Sequence, residues 1–485
     1  MSRVPPRAVA LLLLCAAVSS FASTVTAAIA PKNTKSAAVA QPLDVRYAAA
    51  AEKLIGAALA DTQTYTRLSE LCDGIGNRLS GSPQLVRAVA WAARAMREDG
   101  LENVHLQPAM VKHWVRGAEH AVMVEPGPVN LSMLGLGGSV ATPPGGITAD
   151  VVVVSSWDEL KALPDDAVRG HIVLYDVPFV SYSETVRYRS SGANRAAQRG
   201  AVATLLRSVG PVSLRTPHTG ATGAYVDSIP KIPCAAVTIE DATMMHRLLH
   251  RGVRVRVHLE MNAQTFPDTL SANVIGEIRG SKLPNEVVVV GGHLDSWDVG
   301  AGAHDDGGGD VISMGALRLM KKLGLRPRRT VRCVLWVNEE NGSGGNKAYG
   351  DSAKTARVKH VAAIESDGGV ERIVGFGVRA NYPAVSDSMD TTRTARAVAL
   401  LQPVGRLLAG IGGDKVTNDG GGTDIGPLMR QGVPGLAHRT TGEHYFDWHH
   451  TPSDMLDKVD PIELRKNLAA LAVMVYVLAD MPDTL

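Results

Sequence analysis

Aromatic residues are scarce in this chain, at 4% of 485 residues, and cysteine is scarcer still, with four. Four cysteines cannot build a disulfide scaffold in a chain this long. Basic and acidic residues nearly balance, 50 Lys and Arg against 48 Asp and Glu. That balance excludes a global basic field for nucleic acid, and it excludes a polyacidic tail. No apolar run reaches the roughly 20 residues that a membrane-spanning helix needs. There is no Gly-x-x-x-x-Gly-Lys-Ser/Thr loop for nucleotide phosphates, and no Gly-x-Ser-x-Gly elbow in a strand-to-helix context for a serine nucleophile. What the chain has in abundance is glycine, 49 residues, within an ordinary globular composition of 45% hydrophobic and 20% charged residues. Backbone, more than large rings, must set the local geometry.

The first stretch reads as a leader. Arg3 and Arg7 precede an apolar run from Ala8 to Val18, and small residues follow around Ala22 and Ala27. This is the pattern of a secretory signal peptide over 1–28, which implies a secreted or periplasmic protein without a stable membrane anchor. Leucines before Cys15 argue against lipidation there. Cleavage removes Arg3 and Arg7 and no acid, so the formal charge falls from +2 to about zero. It leaves Cys72, Cys234 and Cys333, an odd number, so at least one thiol stays unpaired within the chain. Cys333 reads as a buried small hydrophobe; a Cys72–Cys234 pairing stays open.

Residues 29–44, rich in Ala, Lys and Ser, read as a linker or short propeptide. Helices are expected over 48–59 and 83–96, the second capped by Ser82 with Pro83 at its first position. Between 122 and 265 the texture changes to short strand-like runs with a few helices, an inserted β-rich lobe. From 266 onward strands and helices alternate. Val287–Val290 is a continuous apolar run, as expected of a buried parallel strand. Apolar residues at helical spacing follow in 310–323, then further strands at 330–337 and 360–364, and helices over 394–408 and 461–479. The expected fold is therefore α/β, a mostly parallel mixed sheet flanked by helices, with 45–121 and 266–485 forming one domain around the insert.

Ligands in open α/β sheets bind beyond the carboxyl ends of strands. Here those ends carry His293-Leu294-Asp295, Asp305-Asp306-Gly307, Glu339-Glu340, Asp367-Gly368-Gly369 and, late in the chain, His449-His450-Thr451-Pro452-Ser453-Asp454. Each piece alone is weak: a His-x-Asp is usually a surface pair, and Asp-Asp-Gly-Gly is usually a turn. Together they make an N/O donor set suited to Zn²⁺, with Co²⁺ or Mn²⁺ as substitutes, and unlike a thiolate site. Two such ions can clamp a hydrolytic water and a carbonyl oxygen. Of the adjacent Glu339 and Glu340, one can bind metal while the other takes a proton.

This string of motifs resembles the co-catalytic zinc aminopeptidase family, which includes aminopeptidase Y type enzymes, glutamate carboxypeptidase II and transferrin receptor relatives. The likeness extends to Arg78-Leu79-Ser80-Gly81-Ser82 and His113-Trp114-x-Arg116-Gly117 before the insert. The insert, 122–265, resembles the protease-associated domain of that group. The resemblance implies a zinc-exopeptidase fold and two Zn²⁺ per chain. His293 and Asp367 would hold one ion, Glu340 and His450 the other, and Asp305 would bridge them across a cis peptide to Asp306. Glu339 would be the general base for a metal-bridging water, and Asp295 would orient His293. His449, with Tyr445 in reserve, is expected to stabilise the oxyanion. Asp424, in the glycine-rich stretch 419–427, is expected either to face a substrate ammonium or to cap the following helix. The implied activity is hydrolysis of short peptides or dipeptides with a free N-terminus, by a homodimer. An inactive scaffold relative and a single-zinc glutaminyl cyclase are the alternatives; the complete ligand string argues against the first and the insert against the second.

Overall fold

The structure, a computed structural model, describes residues 41–380 and 391–485. The leader and all but the last residues of the 29–44 stretch lie outside these residues, as does Cys15.

The apolar run Val287–Val290 lies inside the strand Leu283–His293 and is fully buried. Its alternate residues serve two cores. Val288 and Val290 pack with the helices Leu43–Leu59, Gly308–Lys322 and Pro461–Asp480, whereas Val287 and Val289 pack on the other face with Tyr349, Leu428 and Met429. Both faces are covered, which is why the run is continuous and not alternating. The strand sits in an eight-stranded sheet ordered Glu102–Val115, Gln264–Ile278, Arg329–Trp336, Leu283–His293, Lys359–Glu365, Gly435–Thr440, Ile373–Arg379, Lys415–Thr417. The four central strands, Arg329–Trp336 through Gly435–Thr440, run parallel, and the outer ones include antiparallel pairs. This is the expected mostly parallel mixed sheet with helices on both faces.

Several elements were not expected, among them the helix Gly344–Thr355 and the strands Ile373–Arg379 and Gly435–Thr440; two others have a clear physical reason. Gln63–Cys72 is a helix where the sequence suggested no element. Its threonines have modest helix propensity, and tertiary contacts support it: Asp61 accepts from the Thr64 N–H at 2.8 Å and pairs with Arg318 at 3.0 Å. The long strand Glu102–Val115 was hidden by Pro108, which is tolerated because this strand forms the sheet edge. Ser82 does cap its helix, accepting from the Leu85 N–H, with Pro83 in the first turn.

A second eight-stranded sheet draws only on residues between Glu119 and Met261. Pro42–Leu485 nevertheless form one compact unit. Cys72, Cys234 and Cys333 are all free and buried. Cys72 packs in the core of the first sheet and Cys234 in a core of the second, so the open pairing is not made. Among the described residues, no helix is long and apolar enough to cross a membrane.

Candidate metal centre

Parallel strands deliver their carboxyl ends to one place. His293 ends the strand Leu283–His293, Glu339-Glu340 follow Arg329–Trp336, and Asp367 follows Lys359–Glu365. Asp305 enters from the turn before the helix Gly308–Lys322, with a cis peptide to Asp306. His449 and His450 leave the short helix Tyr445–Trp448.

Asp305 lies between two histidines. Its Oδ1 is 3.1 Å from His293 Nε2, and its Oδ2 is 3.3 Å from His450 Nε2. His293 Nε2 is also 3.6 Å from Asp367 Oδ1, and His450 Nε2 is 3.2 Å from Glu340 Oε2. Asp305 is therefore shared between a His293–Asp367 pair and a His450–Glu340 pair. Ligand atoms on a tetrahedral ion at about 2.0–2.2 Å lie roughly 3.3–3.6 Å apart; two of these separations fall in that range and the other two are 0.1–0.2 Å shorter. Asp305 Oδ2 is buried without a hydrogen bond, as an oxygen reserved for a cation would be.

The surrounding contacts hold this arrangement. His293 Nδ1 lies 2.9 Å from the Asp295 carbonyl oxygen. A carbonyl only accepts, so Nδ1 carries a proton and Nε2 is the atom whose lone pair a cation would take. Asp295 thus orients His293 through its main chain, while its carboxylate accepts from the N–H groups of Glu339 and Glu340 at 3.1 and 3.4 Å. Glu340 Oε1 accepts from the Trp297 N–H at 3.1 Å, which turns Oε2 toward His450. Asp454 accepts from the N–H groups of Ala303, His304 and Asp305. Asp306 accepts from the His293 N–H at 3.1 Å.

The electrostatics follow from burial and crowding. Burial opposes a charge on His293, yet the carboxylates of Asp305 and Asp367 hold its pKa well above the ordinary histidine value. Burial likewise disfavours ionised Asp305, and His293 and His450 nonetheless hold it well below the usual carboxylate range. Glu339 is pushed up to about 8 by burial first and then by the charges of Asp367, Glu340 and Asp305, with His293 opposing. His449 stacks on His450, ring centroids 3.5 Å apart. Burial and the His450 charge keep it neutral, well below the usual histidine range.

A cleft of about 310 Å³ opens onto this centre, lined among others by Glu339, Asp367, Tyr445, His449, Tyr182 and Arg189. Tyr445 and His449 thus line the same cleft as Asp305, Glu340, Asp367 and His450. Asp424 does not reach it: the residue is 1% exposed and both carboxylate oxygens lack partners. Nor does it cap Gly426–Met429, whose first turn receives no side-chain hydrogen bond. Burial and the charges of Glu365 and Glu339 push its pKa well up, and Thr423, not Asp424, lines the cleft.

Three contributors carried no assigned role in the sequence reading. Arg78 is fully buried and donates to the carbonyls of Leu294, Ala301 and Gly302, joining the two loops beside the centre. Arg189 and Thr219 come from the second-sheet region; Arg189 Nη1 and the Thr219 carbonyl oxygen each lie 3.4 Å from His450 Nδ1. No spacing signals these two, because their contact with His450 is purely tertiary.

Residues 273–475 match Peptidase family M28. The chain is 45% identical to carboxypeptidase Q of Mus musculus over 423 residues, 87% of each chain. A crystal structure of a peptidase M28 precursor from Shewanella amazonensis SB2B aligns with a TM-score of 0.84 at 34% identity, covering 91% of this chain and 98% of that one. The zinc aminopeptidase BSAP from Bacillus subtilis aligns with a TM-score of 0.61 at 20% identity, over 87% of this chain and 95% of that one, a likeness of fold.

Proposed function

The chain belongs to peptidase family M28 and is a zinc metallopeptidase, and from that premise we propose a dinuclear exopeptidase that hydrolyses short peptides or dipeptides with a free N-terminus. The observation that carries this reading is Asp305, whose two carboxylate oxygens each face a different histidine. His293 and Asp367 would hold one zinc, Glu340 and His450 the other, with Asp305 between them.

When bound, the ions polarise the scissile carbonyl and bring the pKa of a water toward about 7. Glu339 takes the proton of the attacking water and passes it to the leaving amine. Dications beside Glu339 would counter the carboxylate charges that raise its pKa and favour its basic form. Asp295 fixes both partners of this step, since its carbonyl sets the His293 tautomer and its carboxylate sets the Glu339-Glu340 turn. Neutral His449 can donate one N–H to the developing oxyanion, with Tyr445 beside it at 5.1 Å between ring centroids. A cleft of about 310 Å³ suits a short substrate. We further read residues 122–265 as a protease-associated-type insert, 1–28 as an export signal, and the working form as a secreted or periplasmic homodimer.

The test is hydrolysis of a panel of free, N-acetylated and amidated dipeptides, with and without a chelator. Chelator-sensitive cleavage that is lost on N-acetylation is expected. Cleavage indifferent to chelator, or equal on acetylated substrates, would overturn the reading.

A further inference from the structure

We propose that the outer face of the second sheet carries a separate site for a divalent transition cation such as zinc, formed by His120, His258 and Glu260. The strands Glu119–Glu125 and Arg256–Met261 are antiparallel, with His120 opposite Glu260 and Val122 opposite His258. The period of two places all three ligands on one face. Their neighbours Ala121, Met123, Val257 and Leu259 face inward and are buried.

The three side chains converge. His258 Nε2 is 3.1 Å from Glu260 Oε1, and His120 Nδ1 is 3.9 Å from Glu260 Oε2. One donor atom from each lies within 4.8 Å of the others. The site repeats a device of the catalytic centre, where one ring nitrogen is tied so that the other faces a carboxylate. Here Thr148, opposite His258 on the adjacent strand Ile147–Val154, places its Oγ1 2.8 Å from His258 Nδ1. When the hydroxyl accepts, Nδ1 holds the proton and the Nε2 lone pair points at the site. Gly146 makes room for this: a Cβ there would come within 2.8 Å of both His258 Cε1 and Glu260 Cγ. The side chain of His120 is 54% exposed, which leaves its ring room to turn toward a cation.

Two imidazoles and one carboxylate select zinc, copper or nickel over calcium and magnesium. Three protein ligands leave a position for water or for an outside ligand. A bound ion would tie the strands of His120 and His258 together, and through Thr148 the third strand, without touching the catalytic cleft.

The experiment titrates zinc into the full chain after its catalytic centre has been loaded and free metal removed. Wild type is expected to take one equivalent more than His258→Gln or Glu260→Gln. Thr148→Val keeps all three ligands and is expected to weaken that equivalent by about 10–100-fold, the usual cost of losing such a partner. Equal zinc uptake by wild type and all three variants would overturn the proposal. So would an added equivalent in wild type that calcium displaces as readily as copper does.

Discussion

Gly292→Ala tests whether missing side chains are what allow the ligand cluster to close. A Cβ at Gly292 would lie 2.1 Å from Asp306 Oδ2, far inside van der Waals contact. That oxygen accepts from the His293 N–H at 3.1 Å, so relieving the clash requires Asp306 to move away from a ligand residue. Overpacking of this kind costs about 1–3 kcal/mol, and leaving a buried N–H unpaired costs about 1–3 kcal/mol more. The expected loss is therefore about 2–6 kcal/mol, together with weaker zinc retention because His293 shifts. Gly368→Ala is the control: it adjoins Asp367, but a Cβ there meets nothing within 4 Å, and it should leave stability within about 0.5 kcal/mol. Urea unfolding of both variants, paired with a chelator-competition assay for zinc, measures both consequences. A Gly292→Ala chain as stable and as zinc-retentive as the control would refute the crowding argument.

Other expectations follow from the same geometry. Glu339→Gln should keep its zinc and lose about 10²–10⁴-fold in turnover, the range of a general base; near-full activity in a steady-state assay would remove Glu339 from that role. Arg189→Met should speed zinc loss to a chelator, because Arg189 lies against His450 from the second-sheet region; unchanged loss kinetics would make the contact incidental. Burial lowers His438 and His360 to about 4, so between pH 6.5 and 4 the unfolded chain binds protons that the folded chain refuses, and stability present above pH 6.5 falls as the pH drops. Each histidine contributes roughly 2 kcal/mol of that loss by pH 5. His438→Asn should narrow the difference in urea midpoint between pH 7.5 and pH 5, and an unchanged difference would count against the buried neutral form. Removing metal with a chelator should lower Tm and take up protons, which calorimetry in two buffers would detect; a Tm indifferent to chelator would contradict it.

Much of this molecule is legible where local pattern and global fold agree. Val287–Val290 announces a covered parallel strand because both its faces are buried, and strand order then brings His293, Glu339, Glu340 and Asp367 to one edge. Legibility fails where tertiary contact overrides local signal. Gln63–Cys72 depends on Asp61 and Arg318, which lie outside the helix. Pro108 disguises an edge strand. Asp295 was expected to act on His293, but a sequence cannot say that its carbonyl would do so while its carboxylate held a different loop. Asp424 looks like a pocket residue by its place in a glycine-rich stretch, yet Thr423 presents the wall and Asp424 turns inward.

The abundance of glycine and the charge of the centre are two sides of one arrangement. At Gly292, Gly309 and Gly422 an added Cβ would fall within 2.4 Å of a carboxylate oxygen of Asp306, Asp306 and Glu365 respectively, so backbone stands where side chains would otherwise separate the acids. The acids then crowd: burial first, and neighbouring acids next, push Glu365 to about 8, while burial pushes Glu340 to about 7 and Asp454 to about 6. The nearby arginines do not relieve this, because Arg78 and Arg189 direct N–H groups to the carbonyls of Leu294, Ala301, Gly302, Thr219 and Ala221. Both arginines brace loops and leave the acids uncompensated. Buried charge without a partner is costly, so the metal-free chain meets the cost by holding protons on His293 and His450 beside Asp305 and by raising the pKa of Glu365 and Glu340, and divalent cations would replace such protons. On the proposed dinuclear reading, the protein builds a shape that would close around two ions and leave part of the charge balance to them.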